Sequence, residues 1–218
     1  MPYDLLDNGT RVLFTLIALF FAIGFHEYAH AAVADAAGDP TPRTYGRVTL
    51  NLFNHFDPVG AIFILMTTMA GFGIGWGRPV PMDPRKMKNP KWDHFWAVFA
   101  GPLSNLMQAV IFALLGRLAI AFMPNATMLI AFFSLACVVN IALCLFNLIP
   151  LGPLDGMWIA GTFLPDRLRI RWTRWNLTVG QFVFLGVVLL GQMSPNFNLV
   201  GTVLRPFMSR IIRLLWGI

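Results

Sequence analysis

The sequence predicts a membrane all-α protein: a polytopic helical bundle of about five to six membrane segments with a small membrane-associated β element. Of the 218 residues, 57% are hydrophobic and only 12% are charged, about half the charge of a soluble domain. The mean hydropathy is +0.66, and the apolar residues come in runs near the roughly 20 needed to cross a bilayer. The formal charge of +6 arises from basic residues clustered between those runs, at 78–91, 167–174 and 205–213. That is the pattern of cytoplasmic loops and not of a nucleic-acid surface. These features exclude a cytosolic enzyme, a disordered regulator and a disulfide scaffold. Cys137 and Cys144 lie two helical turns apart in one run, beyond disulfide reach.

The first run, 11–37, is preceded by Asp4 and Asp7 against a single Arg11. A signal peptide has a positive leader, so this run reads as a membrane helix. Residues 44–56 (TYGRVTLNLFNHF) are rich in β-formers with partial alternation and read as a short strand or hairpin beside the membrane. Runs 95–123 and 127–149 form two spans joined by an uncharged turn. Arg78, Arg85, Lys86, Lys88 and Lys91 mark one flanking loop as cytoplasmic, and Arg167, Arg169, Arg171 and Arg174 mark another.

Parity then makes the stretch 58–77 a crossing with cytoplasmic chain on both sides, which an ordinary span cannot be. Its second part, 71–77, has glycine at every second position, which disfavours helix and suits extended backbone. We therefore expect a helix over 58–72 followed by a returning extended strand, tolerated at membrane depth only beside a wet cavity or within protein. Run 176–192 reads as a further helix. The segment 199–217, with Arg205, Arg210 and Arg213, reads as an amphipathic helix lying on the interface.

Within the first helix stands His26-Glu27-Tyr28-Ala29-His30, an HExxH pattern. At about 100° per residue the two histidines sit about 40° apart on the helical wheel, so both imidazoles can reach one metal ion. Glu27 stands beside them, placed to take a proton from metal-bound water as in zinc peptidases. Three ionisable residues within five positions are costly in a bilayer and signal function.

Glu27 is the sole glutamate of the chain, so a downstream glutamate cannot be a third ligand. The HExxHxxGxxH class is excluded by Val33 and Ala36. Asp35 lies on the opposite face of the helix from His26 and reads as a helix-end polar residue. A third ligand must come from elsewhere. His55 and His94 read more readily as interfacial residues. Asp155 follows the 127–149 helix in NLIPLGPLDG, where two prolines and two glycines break regular helix on the side of the membrane that holds His30. A plain loop carboxylate is the alternative reading.

HEYAH at 26–30, AGPLSN at 100–105 and NLIPLGPLDG at 147–156, in that order on separate helices, with GWGRPVPMDP at 75–84, resemble the site-2 proteases, intramembrane zinc metalloproteases. The resemblance covers most of the chain. It implies that His26, His30 and Asp155 ligate Zn2+ and that Glu27 is the general base. It further implies that Asn147 helps to hold the substrate backbone or the developing oxyanion, and that the glycine segment with Gly71, Gly73 and Gly75 clamps substrate as an added strand. AGPLSN reads as structural, its small residues letting helices pack closely and Asn105 serving as interhelical glue. No stretch is long or polar enough for the PDZ-type domain that many relatives carry.

The expected function is hydrolysis of transmembrane protein substrates within the bilayer, in a prokaryotic plasma membrane, with the site nearer the cytoplasm. The expected partners are a transmembrane peptide and the lipid bilayer, with no nucleic acid. A metal transporter or sensor using the same three ligands would leave Glu27 and the glycine strand without a role. An inactive substrate-binding homologue would make Glu27 dispensable.

Overall fold

The computed structural model describes residues 2–69, 75–193 and 198–217. Its helices are α1 (Asn8–Ala36), α2 (Thr41–Thr44), α3 (Pro58–Met69), α4 (Trp92–Phe122), α5 (Thr127–Asn147), α6 (Asp155–Thr162), α7 (Asp166–Trp175), α8 (Gln181–Met193) and α9 (Leu199–Trp216). Among the described residues, four helical stretches are long and apolar enough to cross a membrane: Asn8–Ala36, Pro90–Phe122, Thr127–Asn147 and Asp166–Gly191. The molecule is thus a helical membrane bundle.

α1, α4 and α5 form its centre. On α4, Ala97, Gly101, Asn105, Ala109, Ala113 and Gly116 are buried, whereas Ile111, Leu114, Leu118 and Phe122 are exposed. Large apolar side chains outside and small ones inside is the arrangement lipid favours, since burial of leucine gains nothing when the solvent is itself hydrocarbon. Close backbone approach through small residues then supplies the packing.

α1 starts at Asp7, whose carboxylate accepts from the Thr10 N–H at 2.9 Å. It ends where Gly38 takes φ 106°, and the N–H groups of Gly38 and Asp39 return to the carbonyls of Asp35 and Ala34, satisfying orphan carbonyls of the last turn. Asp35 then pairs with Arg43 through two hydrogen bonds of 2.9 and 2.5 Å, in keeping with a helix-end role.

The expected β element over 44–56 is not formed. That stretch contains the end of α2, turns and a 3-10 turn at Leu52–His55, and among the described residues the one ladder pairing is an isolated antiparallel bridge between Phe56 and Gly77. Side chains satisfy its backbone instead of a partner strand. The Asn51 carboxamide oxygen accepts from the Phe53 N–H, and His55 Nε2 bonds the Thr49 carbonyl at 2.9 Å. Arg47, 2% exposed, donates to the carbonyls of Asn54 at 2.8 Å and of Arg78. The alternation in sequence reflects a half-buried loop, with Leu52 and His55 inward and Leu50 and Phe53 outward.

α3 has 12 residues and so rises only ~18 Å, too little to span a bilayer. The chain comes back beside it. A Cβ on Gly75 would lie 2.0 Å from Ile64, and one on Gly60 would lie 2.3 Å from the Trp76 carbonyl, while Arg78 N–H bonds the His55 carbonyl at 2.7 Å. The excursion thus returns to its starting point, as parity requires. The expected strand at 71–74, with Gly71 and Gly73, lies outside the described residues.

The basic segment 167–174 is not a loop but helix α7, continuing through a π-helical turn at Asn176–Gly180 into α8. Asp166 favours its first turn and pairs with Arg169 at 2.7 Å, and Trp172 Nε1 donates to the Met157 carbonyl at 2.7 Å. α9 packs its apolar face on α4 and α5, with Trp216, Ile211 and Ile212 joining Ala109, Ala113, Cys137 and Ile141 in a buried cluster.

Arg47 is the tie between the loop at 47–55 and the returning chain at Arg78. Arg47→Ala leaves two carbonyls without their donors, at about 1–3 kcal/mol each. The thermal unfolding midpoint in detergent, followed by tryptophan fluorescence, should fall by about 5–10 °C. An unchanged midpoint would show that other contacts hold these loops.

Candidate active site

His26 and His30 sit one turn apart on α1, both buried, with ring centroids 4.5 Å apart. Their Nε2 atoms are 3.0 Å from each other. Asp155, the first residue of α6, brings its Oδ2 to 3.1 Å from His26 Nε2 and 3.4 Å from His30 Nε2. Among the described residues these three form the group of His, Cys, Asp and Glu side chains able to hold a metal ion.

The face of α4 opposite supplies three different things at intervals of one turn. The Ala97 carbonyl lies 2.8 Å from His30 Nδ1, and the Asn105 carboxamide oxygen lies 2.7 Å from His26 Nδ1. Between them, Gly101 supplies space: a Cβ there would sit 2.3 Å from His30 Nε2 and 2.7 Å from His26 Cε1.

These contacts fix both tautomers. A carbonyl only accepts, so His30 Nδ1 carries the proton. Asn105 Nδ2 donates to the Ala22 carbonyl at 3.0 Å and to Asn140 Oδ1 at 3.1 Å, and Asn140 Nδ2 donates to the Ala136 carbonyl at 2.9 Å. Both amides are therefore orientated by backbone acceptors, Asn105 Oδ1 must accept, and His26 Nδ1 must carry its proton. In the neutral form of each ring, Nε2 is then left with a bare lone pair.

With both imidazoles neutral, two lone pairs and a carboxylate thus face one another, and Asp155 Oδ2 is buried without a hydrogen-bond partner. Such an arrangement is repulsive alone and satisfied by a divalent cation. Two imidazole nitrogens and one carboxylate oxygen suit a borderline transition metal, so the residues present fit a metal ion.

Loop geometry places Asp155. The Gly152 N–H donates at 2.7 Å to the Asn176 carboxamide oxygen from the π-helical turn, and Asn176 Nδ2 bonds the Trp172 carbonyl. A Cβ on Gly156 would lie 2.3 Å from the Ile149 carbonyl, so the residue after Asp155 must be glycine for α6 to start against its own loop. Glu27, half-buried, lies under the returning chain, where a Cβ on Gly77 would sit 3.1 Å from its Oε1. Burial pushes the Arg47 guanidinium below its ordinary value, with the Glu27 carboxylate opposing that shift.

The other expected residues are not in this cluster. Asn147 turns back to donate to the Leu143 carbonyl of its own helix at 3.1 Å. Gly75 packs on Ile64, so a branched side chain there would disrupt the contact with α3 before it met any substrate. His55 is held by the Thr49 carbonyl, and His94 packs edge-on against Trp158 at 5.5 Å. Sequence reasoning passed over Asn140, counted Gly77 only among the glycines of the expected strand, and gave Gly101 and Asn105 only packing roles. The available signal was an amide at the centre of an apolar run, costly there unless bonded.

No family model matches the chain, and no solved structure matches it. It is 39% identical over 177 residues to the Bacillus subtilis (strain 168) protein named "Putative zinc metalloprotease YwhC", covering 79% of this chain and 78% of that protein. With that identity spread over most of both sequences, the chain belongs to the same protein family as this Bacillus subtilis protein.

Proposed function

We propose that the chain is a zinc endopeptidase of the site-2 protease type, hydrolysing peptide bonds of transmembrane protein substrates within the bilayer. His26, His30 and Asp155 hold Zn2+ and Glu27 is the general base. The observation that carries this reading is the meeting of two bare Nε2 lone pairs and a donorless carboxylate. Glu27 stands beside them on a helix apolar enough to cross a membrane. The name of the 39% identical relative supports zinc and proteolysis.

Bound there, zinc supplies Lewis acidity toward the scissile carbonyl and makes water nucleophilic near neutral pH. Glu27 takes up the proton of the attacking water and returns it to the leaving amine. The Ala97 carbonyl and Asn105 keep both imidazoles in the ligating tautomer. A substrate helix must unwind, because a helical peptide bond is shielded by its own hydrogen bonds. The chain at Gly71, Gly73 and Gly75, with Asn147, receives the unwound backbone. The basic loop 78–91, which directly follows the returning chain, supports a site nearer the cytoplasmic side, in a prokaryotic plasma membrane.

Glu27→Gln should retain zinc and lose activity by about 10²–10⁴-fold, a barrier increase of about 3–5 kcal/mol. Cleavage of a reporter transmembrane segment and elemental analysis of the purified variant read the two effects separately; near-normal cleavage would sink the mechanism.

Asp155→Ala, His26→Ala and His30→Ala should lower the zinc-to-protein ratio, whereas folded His55→Ala and His94→Ala should keep it. Full zinc in Asp155→Ala would show that the third ligand lies elsewhere.

Asn105→Leu keeps volume but removes the acceptor that fixes His26. Zinc retention against a chelator should weaken by about 10–100-fold. Unchanged retention would show that the amide only joins helices.

A further inference from the structure

A cavity of about 690 Å³ opens between the N-terminal end of α4, α6 and the α7–π-turn helix. Three basic side chains line it, Lys91, Arg169 and Arg174, and none of its lining residues is acidic. Asp166 pairs with Arg169 from outside and is 81% exposed. Arg174 has no ion-pair partner among the described residues. The rest of the wall is largely apolar, with Trp158 on α6 and Ile170 and Leu177 on the α7 side.

Position 170 to position 177 is two helical turns, so Ile170 and Leu177 lie on one face, with Arg174 between them. Beyond them, Phe182, Leu185 and Leu189 of α8 are exposed, which continues the apolar track along a helix that can cross the membrane. Trp92, Trp96, Trp158, Trp172 and Trp175, five of the seven tryptophans, sit on the three elements that bound the cavity. Tryptophan gathers at the level of lipid headgroups, and basic pockets between helices at that level suit anionic headgroups.

We infer that this cavity is a binding site for an anionic phospholipid. The headgroup phosphate sits among Lys91, Arg169 and Arg174, and an acyl chain follows Ile170 and Leu177 toward the exposed face of α8. Charge complementarity selects the sign of the occupant, and the apolar wall with its outward track selects lipid over a free anion. An acidic peptide segment would use the cations but not the track. The occupant bears on α6 through Trp158, one turn beyond Asp155. The inference is independent of peptide hydrolysis, and its primary readout is lipid retention.

The test uses the full chain in nanodiscs of phosphatidylcholine with a minor fraction of phosphatidylglycerol, with retained lipids counted by native mass spectrometry after release into detergent. Wild type should retain phosphatidylglycerol in preference to phosphatidylcholine. Each removed charge should weaken that retention by about 5-fold, so Arg174→Gln alone loses about 5-fold and Lys91→Gln/Arg169→Gln/Arg174→Gln about 100-fold. Arg205→Gln/Arg210→Gln on α9 should retain it as wild type does. Equal retention by the triple variant, or equal loss in the α9 variant, overturns the site. Displacement of the lipid by millimolar inorganic phosphate would reassign the cavity to a free anion. If the triple variant kept its lipid but lost cleavage only of segments with acidic flanks, the occupant would be substrate and the lipid assignment would fall. The single Arg174→Gln variant keeps the test decisive should the triple variant unfold.

Discussion

Asn140 Nδ2 donates to the carbonyl of Ala136, and that bond determines which way the side chains of Asn105 and His26 present their polar atoms. With its NH2 committed, Asn140 presents Oδ1 to Asn105, whose own NH2 also reaches the Ala22 carbonyl. Asn105 can then only accept from His26, and His26 can only present a bare Nε2. Three helices are joined by this line of amides, and each bond lies where water cannot substitute for a missing partner. Rotating any one amide would place two donors or two acceptors face to face, so the Nδ1-protonated form of His26 is a property of the α1, α4 and α5 bundle and not of the imidazole.

Such a line can form only if the backbones lie close together, and the packing explains why they do. Buried Ala22 and Ala31 of α1, Ala97 and Gly101 of α4, and Ala136 of α5 present almost no side chain to their neighbours. In lipid that costs nothing, because the large apolar residues they might have been are equally content on the outer surface. Gly101 carries the principle furthest, since the volume its missing Cβ would fill is occupied by the two imidazoles themselves. Asp155 reaches the same point from a different direction, held by a loop whose Gly152 is fixed to Asn176 in the irregular turn between α7 and α8.

The bundle and the pairing of His26 with His30 were plain in the sequence, because both rest on composition and on short local patterns, whereas Asp155 as their companion was implied by the family resemblance. Long apolar runs can only be helices in a bilayer and HExxH puts two imidazoles on one face, whereas the broken helix end left Asp155 open between a ligand and a plain loop carboxylate. The 44–56 region was misread because alternation of apolar and polar residues is shared by a strand and by a loop with one buried side. What decided between them was Arg47, a distant donor to two carbonyls that no local pattern can announce. The 167–174 segment was misread because charge density suggested a loop, whereas a helix lying at the headgroup level can be both basic and regular. Asn105 and Asn140 are visible as polar residues in apolar runs, but their roles depend on which carbonyls they meet, and that is a fact of three-dimensional packing.

The returning chain has one further consequence. The bridge between Phe56 and Gly77, the bond from Arg78 to His55 and the Arg47 contacts to Asn54 and Arg78 close the excursion at its base. The entropy of closing a loop grows only with the logarithm of its length, about 0.6 kcal/mol for each doubling. The closure itself therefore places little constraint on how many residues lie between 56 and 77. Insertions or deletions within the excursion are cheap by this measure, whereas any change at its base disturbs the chain that covers Glu27. Length should be the variable quantity here, and the closure the fixed one.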